Sequence, residues 1–287
     1  MIIPVASIGY NRPELQELSL EYLARCSEAK QTPLHLFIDH GMSVEQANEL
    51  REKFLSSFAT VELHYLSVRS GLSRNIAGAM KFMMHRYPIC CILEDDVLCS
   101  KDFFRFHVYI QENIDLTAER VLTVSAYTKD RLGEYQKPEE IINKRTWYSP
   151  DGVVLNVADW NLIKPHFCEE YFLNQATYLQ RFYEACKKHQ PRFAERCWPN
   201  GKRRWVEQAG LINTIRASLN MYSIIPEVSR CQDIGVYGKN HQQKIHNGED
   251  IRSEAFWRTG GWYSKSFEED HDWRELRIGS TERVFLG

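Results

Sequence analysis

Short apolar segments alternate with longer amphipathic segments through residues 2–114, and this alternation constrains the fold more than any other feature of the sequence. Segments such as PLHLFID (33–39) and PICCILEDD (88–96) are typical of buried strands. The segment SKDFFRFHVYIQENI (100–114), which follows the second of them, has the apolar spacing of a helix. Strand–helix repeats of this kind predict an α/β fold with a mostly parallel sheet and helices on both of its faces.

Helix starts are marked by residues that favour capping. Asn11 is expected to cap the first helix, with Pro13 in its first turn, and Ser43 is expected to cap the second. The second half of the chain is less regular, although VLTVSAY, GVVLNV and MYSIIPEV resemble strands. Because the sequence has no internal repeat, no low-complexity linker and no clear boundary, we predict one domain over residues 1–287.

Composition excludes several classes of protein. The formal net charge of −2 gives no general attraction to nucleic acid, so no nucleic-acid partner is expected. No apolar run approaches the roughly 18 residues of a membrane-spanning helix, and the first residues lack the features of a secretory signal. The eight cysteines form no CxxC pair, which disfavours a zinc site and favours a reduced, cytoplasmic protein.

Three carboxylates, Glu94, Asp95 and Asp96, follow one another at the end of an apolar strand. They repel one another, and a divalent cation is the usual way to offset such repulsion. Mg²⁺ and Mn²⁺ prefer carboxylate oxygens and leave room for substrate phosphates. The alternative interpretation is a solvated acidic turn. Arg12 and Asp39 also follow predicted strands, and ligands of parallel sheets bind at that edge.

The segment ILEDDVLCSKDFF resembles the metal-binding strand, with its DxD-type motif, and the following helix of GT-A glycosyltransferases. It is most similar to the N-acetylglucosaminyltransferase I family, which are inverting enzymes that transfer GlcNAc from UDP-GlcNAc. PVASIGYNRPELQELSLEYL is similar to the family's first strand and helix, and VLTVSAYTKD follows the acids at the expected distance. IIPEVSRCQDIGVYGKNH resembles its donor-covering loop.

The resemblance implies a GT-A (Rossmann-like) fold, with a mixed, mostly parallel sheet flanked by helices and a flexible C-terminal donor-covering segment. Residues 1–125 would form the nucleotide-sugar-binding half and residues 126–245 the acceptor and catalytic half, followed by a tail over residues 246–287. The implied cofactors are Mn²⁺ or Mg²⁺ and a UDP-sugar donor, with UDP-GlcNAc expected. The implied acceptor is a hydroxyl of a glycan or glycolipid.

The resemblance also assigns roles to residues around the donor diphosphate. Asp96 is implied as the metal ligand, and Glu94 and Asp95 lie near the ribose and the water shell of the metal. Arg12 is implied as a contact of the diphosphate or nucleotide; the alternative is a surface arginine.

Further implied contacts concern the nucleoside and the donor loop. Asp39 would accept a hydrogen bond from the uracil N–H, although it is equally suited to forming the turn that follows. Arg74 and Asn75 would meet the nucleoside, with Asn75 in place of an expected histidine. In the donor loop, the implied contacts are Ser229, Arg230 and His241, the last of which is equally compatible with a solvated loop.

Inverting transfer needs a carboxylate that takes a proton from the acceptor hydroxyl. In the family this base is an acid that follows a tryptophan, which assigns the role to Glu207 after Trp205. Asp151 in YSPDGVV is the alternative base. That segment matches a turn under the donor sugar, so Asp151 or Gly152 would otherwise touch the sugar.

Two other functions remain open at this stage. A nucleotidyltransferase of similar fold is disfavoured because IGYNRPE lacks a glycine-rich loop after the first strand. The second open function is a sugar-nucleotide-binding module that does not catalyse transfer. The segment RCWPNGKRRW (196–205) is compatible with an ordinary solvated loop or with a lipid-linked acceptor, which would bring peripheral membrane contact.

Overall fold

The computed structural model describes residues 1–127, 140–145, 148–198, 208–226, 229–234, 245–246, 249–250 and 277–278. The predictions made for Glu207, for His241 and for most of the tail lie outside the described residues.

Strands and helices alternate through the first part of the chain, as the sequence predicts. The strands of the described residues are β1 (Val5–Gly9), β2 (Pro33–Ile38), β3 (Thr60–Tyr65), β4 (Ile89–Glu94), β5 (Val97–Cys99), β6 (Val121–Ser125), β7 (Glu140–Arg145), β8 (Val153–Asn156), β9 (Tyr222–Pro226), β10 (Cys231–Asp233), β11 (Ile245–His246), β12 (Glu249–Asp250) and β13 (Arg277–Ile278). The helices are α1 (Pro13–Ala24), α2 (Val44–Phe54), α3 (Leu72–Arg86), α4 (Phe103–Asn113), α5 (Val157–Ile163), α6 (Glu169–Leu173), α7 (Gln175–His189), α8 (Phe193–Cys197) and α9 (Gln208–Ser218). None of these helices is both long and apolar enough to cross a bilayer.

Within the described ranges, nine strands form one sheet in the order β13-β7-β9-β6-β8-β4-β1-β2-β3. Five of the neighbouring pairs are parallel and three, which involve β8 or β7, are antiparallel. The predicted α/β fold, with a mixed, mostly parallel sheet flanked by helices, is therefore confirmed.

Both faces of the sheet are buried, because successive side chains of each strand enter different apolar clusters. In β2, Leu34, Leu36 and Ile38 pack in the cluster that includes residues of α1 and α2. Phe37 faces the other cluster, which contains residues of α3, α7 and α9. This double coverage explains why the central strands are almost continuously apolar in sequence.

Two predictions about local structure have different outcomes. Ser43 caps α2 as predicted, and its hydroxyl accepts from the Gln46 backbone N–H in a reciprocal capping box. The prediction for Asn11 is wrong, since α1 is preceded by Arg12 as N-cap and no side chain caps the helix there. The side chain of Arg12 is instead directed to the acids of the β4–β5 turn.

Several short elements were missed by the sequence patterns, among them β5 and α5. The three residues of β5 pair antiparallel with β10, so the chain continues as a strand directly after the acids. Helix α5 begins immediately after β8, where Asn156 and Asp159 form a capping box. Short elements of this kind carry too few residues for a clear period.

Candidate functional site

The acidic triplet forms the end of β4 and the turn into β5. Strands β1, β2 and β4 are parallel neighbours, with Ile8 in register with Glu94, so their carboxyl ends share one edge of the sheet. Asp95 and Asp96 are only 4% and 8% exposed. They are therefore not a solvated acidic turn, which removes that alternative.

Arg12 is the counter-ion of this turn. Its Nη2 lies 2.9 Å from Asp96 Oδ2, its Nε donates to Asp95 Oδ2 at 3.2 Å, and Nη2 also donates to Asp95 Oδ1. The guanidinium comes from the start of α1, directly beyond the end of β1. The sequence predicts that a divalent cation offsets the repulsion between the three acids. In the structure, Arg12 offsets this repulsion at least in part.

One guanidinium does not neutralise the site. Burial raises the pKa of Asp95 to about 7, with a further contribution from Asp96, even though Arg12 acts in the opposite direction. Burial also raises the pKa of Glu94 well above its usual range, and Asp96, Asp151 and Asp95 add to the effect. Buried carboxylates with raised pKa values favour the binding of a proton or another cation.

Asp233 is an acid of this site that the sequence analysis did not single out. It lies on β10 in register with Val97 and contributes to the raised pKa of Glu94. The next residue, Ile234, donates its backbone N–H to the Asp96 carbonyl at 2.8 Å. Asp233 stands within the segment that resembles the donor-covering loop, but only the pairing of β5 with β10 brings it to the acids.

Tyr148 and Gln208 are two further residues that the sequence did not indicate. Burial raises the pKa of Tyr148 well above its usual range, and the nearby charges of Glu94 and Asp151 contribute. The amide of Gln208, the first described residue of α9, donates to Glu94 Oε1 at 3.5 Å. The second half of the chain therefore reaches the acids through the start of α9 and through the turn at 148–152. The sequence assigns that turn to the donor sugar, but it does not single out Tyr148 or Gln208.

Asp151 and Gly152 form a tight turn before β8. The Asp151 carboxylate accepts from the Ser149 hydroxyl at 3.3 Å. Gly152 has φ +58°, and a Cβ there would lie 2.9 Å from Phe103 Cε2 and 3.1 Å from Ala126 Cβ. Glycine is therefore required by backbone and packing at this position, whether or not a sugar binds beside it.

Asp39 is buried at the end of β2 and organises the loop before α3. Its carboxylate accepts backbone N–H groups from Ser70 at 2.8 Å, Gly71 at 2.7 Å and His40 at 2.9 Å. Gly71 is the N-cap of α3 and has φ +82°. The structure thus shows Asp39 holding the loop before α3 as well as the backbone of His40 in the turn after β2, while its role toward a nucleotide base stays a prediction.

Arg74 and Asn75 lie in the first turn of α3 but in different surroundings. Asn75 is buried and donates to the Phe37 carbonyl at 3.1 Å, which ties α3 to β2. The Arg74 guanidinium is 4.8 Å from the centre of the Phe172 ring, an exposed cation–π contact. The nucleoside contacts predicted for both remain predictions.

Ser229 and Arg230 are buried beside β5 rather than exposed on a loop. The Ser229 hydroxyl donates to the Cys231 carbonyl at 2.5 Å. Arg230 Nη1 lies 3.5 Å from Asp102 Oδ2, and both side chains are almost fully buried. In this position these side chains hold β10 against the start of α4, and a contact of Arg230 with a donor would require it to leave Asp102.

Metal-ligating side chains approach one another most closely elsewhere. Within the described ranges, the group with three ligand atoms all within 4.8 Å of one another is His35, Glu62 and His64. The acidic triplet presents no such group by itself. A cation at the acids would therefore be held by one or two carboxylates with further ligands from a substrate or water, which is the usual pattern for Mg²⁺.

No family model matches the chain, and no curated protein sequence matches it. Structural similarity was found to TarS 1-349 from S. aureus in complex with UDP-GlcNAc, at 12% identity and a TM-score of 0.46 over 88% of this chain and 61% of that one. It was also found to the mannosyltransferase PcManGT from Pyrobaculum calidifontis in complex with GDP-Man and Mn²⁺, at 12% identity and a TM-score of 0.43 over 76% and 70% of the two chains. Mouse xyloside xylosyltransferase 1 aligns at 11% identity and a TM-score of 0.41 over 77% and 82%.

The chain spans about three fifths of the TarS 1-349 chain, 61% of its length.

Proposed function

We propose that the chain is a glycosyltransferase of GT-A type that moves a sugar from a UDP-sugar to a hydroxyl of a glycan or glycolipid acceptor. The observation that carries the proposal is the buried acidic site at the carboxyl edge of the sheet. There, the charges of Asp95, Asp96, Asp151 and Asp233 act on Glu94, and Arg12 pairs with Asp95 and Asp96. In open α/β sheets this edge is where ligands bind.

The chemistry of the donor set fits a divalent cation. The carboxylates of Asp95, Asp96, Asp151 and Asp233 all act on that of Glu94, and Arg12 is the guanidinium that pairs with two of the five acids. Oxygen ligands of this type suit Mg²⁺ or Mn²⁺. Asp96 would hold the ion, and a bound ion would stabilise the negative charge of a departing nucleoside diphosphate.

Arg12 would have two partners in this scheme. Its side chain is 17% exposed, so the guanidinium is accessible from the edge of the sheet. Two oxygens of a diphosphate can accept a pair of hydrogen bonds from the planar guanidinium, as the two Asp95 oxygens now do. We expect Arg12 to turn from the carboxylates to the diphosphate on donor binding, which would free the carboxylates for the cation.

The proposed reaction is a direct displacement with inversion. A carboxylate base takes the proton of the acceptor hydroxyl while that oxygen forms a bond to the anomeric carbon, and the bond from that carbon to the diphosphate oxygen breaks. Glu207 is the proposed base and Asp151 the alternative. Two features support a base near the acids: Gln208, the chain neighbour of Glu207, contacts Glu94, and the Asp151 charge acts on Glu94.

The donor is proposed to be UDP-GlcNAc, which rests on the resemblance in sequence. Asp39 Oδ2 accepts one backbone N–H, whereas Oδ1 accepts two, so Oδ2 retains capacity for a further donor such as a uracil N–H.

The test is a screen for transfer and hydrolysis with UDP-, GDP- and TDP-sugars, each with Mn²⁺, with Mg²⁺ and with a chelator. We expect metal-dependent release of UDP from UDP-GlcNAc by the wild-type chain. Glu207→Gln should keep donor binding and lose transfer, because the amide cannot accept the proton. Glu49→Gln, on the exposed face of α2, is the matched control and should behave as wild type.

The variants also separate the two candidate bases. Loss of transfer in Asp151→Asn, with Glu207→Gln still active, would move the role of base to Asp151. Release of pyrophosphate from a nucleoside triphosphate, without release of UDP from any sugar nucleotide, would replace the proposal with a nucleotidyltransferase. Binding without any turnover would support a sugar-nucleotide-binding module.

A further inference from the structure

Two histidines and a glutamate meet between the edge strand β3 and its neighbour β2, away from the acids. Strands β2 and β3 are parallel, with His35 in register with Glu62 and Phe37 with His64. Glu62 and His64 are two residues apart on β3 and therefore lie on the same face of the sheet. His35 is four residues before Asp39 on β2, which is about 13 Å along an extended strand. The cluster is thus separate from the site proposed for the donor.

The ligand atoms of the three residues converge. His35 Nδ1 is 3.1 Å from His64 Nε2 and 3.6 Å from Glu62 Oε2, and all three atoms lie within 4.8 Å of one another. Ligands held about 2.0–2.1 Å from a tetrahedral Zn²⁺ lie roughly 3.3 Å from one another. The distances of 3.1 Å and 3.6 Å lie on either side of this value.

We propose that His35, Glu62 and His64 form a zinc site that joins the edge strand β3 to β2. Two imidazoles and one carboxylate are an established ligand set for Zn²⁺, with water as the fourth ligand. The nitrogen ligands favour Zn²⁺ over Mg²⁺ or Mn²⁺, which prefer oxygen. The absence of a CxxC pair does not bear on a site of this kind, because its ligands are divided between two strands.

The surroundings of His35 prepare it for this role. Its other ring nitrogen, Nε2, is 3.0 Å from the Tyr87 hydroxyl. A hydrogen bond from Nε2–H to this oxygen leaves the Nδ1 lone pair directed at His64 and Glu62, as is typical of metal-bound histidine. Phe37 stacks on His64 at 4.3 Å between ring centres and fixes that ring.

The charge states also suit a metal. Burial lowers the pKa of His35 to about 4 and lowers the pKa of His64, so both rings are neutral near pH 7. Burial raises the pKa of Glu62, but the hydrogen bond from Arg86 and the positive charge of Arg86 lower it overall, so the carboxylate is ionised. Neutral imidazole and ionised carboxylate are the forms that bind metal.

Arg86 is the group that opposes the site, since its Nη1 donates to Glu62 Oε2 at 2.8 Å. Its side chain is 47% exposed and can leave the carboxylate at little cost. The Glu62 side chain is 35% exposed, which gives an ion a route from solvent to the buried His35. The alternative arrangement is a hydrogen bond between neutral His35 and His64 beside a surface ion pair.

The test uses the untagged 287-residue chain, stripped of metal and titrated with Zn²⁺ against a chromophoric chelator. We expect wild type to bind one more equivalent of Zn²⁺ than His64→Gln, or to bind that equivalent at least tenfold more tightly. His85→Gln, which removes an exposed histidine of α3, is the matched control and should bind as wild type. Any Zn²⁺ bound at the acidic triplet would be bound equally by wild type, His64→Gln and His85→Gln, so it would not affect the difference between them.

A second variant tests the proposal even if His64→Gln does not fold. Glu62→Gln removes a partly exposed ligand with little change in volume and should weaken Zn²⁺ binding in the same way. Arg86→Gln should retain or strengthen it, because a competing cation is removed. The proposal is overturned if Glu62→Gln, Arg86→Gln and wild type bind Zn²⁺ with equal affinity and stoichiometry, or if Mg²⁺ competes as well as Zn²⁺. Neither result depends on glycosyl transfer.

Discussion

Replacement of Asp95 by asparagine should change how the stability of the fold depends on pH. Asp95 is 4% exposed, and burial, with the charge of Asp96, raises its pKa from 3.8 to about 7. Between these two values the native state holds a proton that the unfolded chain has lost. The native state is therefore favoured at low pH, and this contribution is lost as the pH rises through about 7.

The size of the effect follows from the two pKa values. A pKa difference of one corresponds to a free-energy difference of about 1.4 kcal/mol. The difference between 3.8 in the unfolded chain and about 7 in the folded chain therefore corresponds to roughly 4 kcal/mol of stability. Of this, roughly 2–3 kcal/mol falls between pH 5 and pH 8. Because the asparagine side chain does not ionise, the free energy of unfolding of Asp95→Asn, relative to wild type, should rise by about this amount over that interval.

The assay is urea unfolding with a chelator present, followed by circular dichroism at several pH values between about 5 and 8. Only the difference between variant and wild type is interpreted, because other groups also titrate in this range. Glu49→Gln should show no such trend. A difference between Asp95→Asn and wild type that stays constant with pH would refute the reasoning, since it would mean that Asp95 titrates alike in the folded and unfolded chains.

Three further substitutions test how the site is supported, each by urea unfolding against wild type. Gly152→Ala should lower the free energy of unfolding by about 1–3 kcal/mol, because alanine is strained at φ +58° and its Cβ would lie 2.9 Å from Phe103. An unchanged free energy of unfolding would mean that the turn relaxes freely. Asp39→Ala should lower the free energy of unfolding by about 2–4 kcal/mol, because it leaves the backbone N–H groups of Ser70 and Gly71 without their acceptor. Asp39→Asn should lower it by less. Arg216→Ala should cost about 3–5 kcal/mol, because its guanidinium is fully buried and donates to backbone carbonyls at 2.6 and 2.8 Å; a cost below about 1 kcal/mol would contradict these contacts.

The fold class could be predicted because periodicity is a local property of the sequence. The alternation from β1 to α4 follows from apolar runs of suitable length, and Ser43 follows a simple capping rule. The N-cap of α1 could not be predicted in this way. At that position, ionic contacts with Asp95 and Asp96, more than 80 residues away, direct the side chain of Arg12.

The candidate site was predictable only where its residues lie at the ends of strands. Glu94–Asp96 and Arg12 come together because parallel strands end at one edge. Asp233 could not be found, because its place depends on the short antiparallel pair of β5 and β10. His35 and Glu62 lie in the middle of strands, where sequence patterns indicate only a buried face, and their meeting depends on the register of β2 and β3.

The central claim is that the buried acids at the carboxyl edge bind a nucleotide sugar together with a divalent cation. The most direct measurement is calorimetric titration of UDP-GlcNAc into the wild-type chain with Mn²⁺ and with a chelator, repeated for Asp96→Asn and for the Glu49→Gln control. The account predicts Mn²⁺-dependent binding by wild type and Glu49→Gln that is lost or weakened at least tenfold in Asp96→Asn. Binding that is equal in Asp96→Asn and wild type, or no binding under any of these conditions, would contradict it.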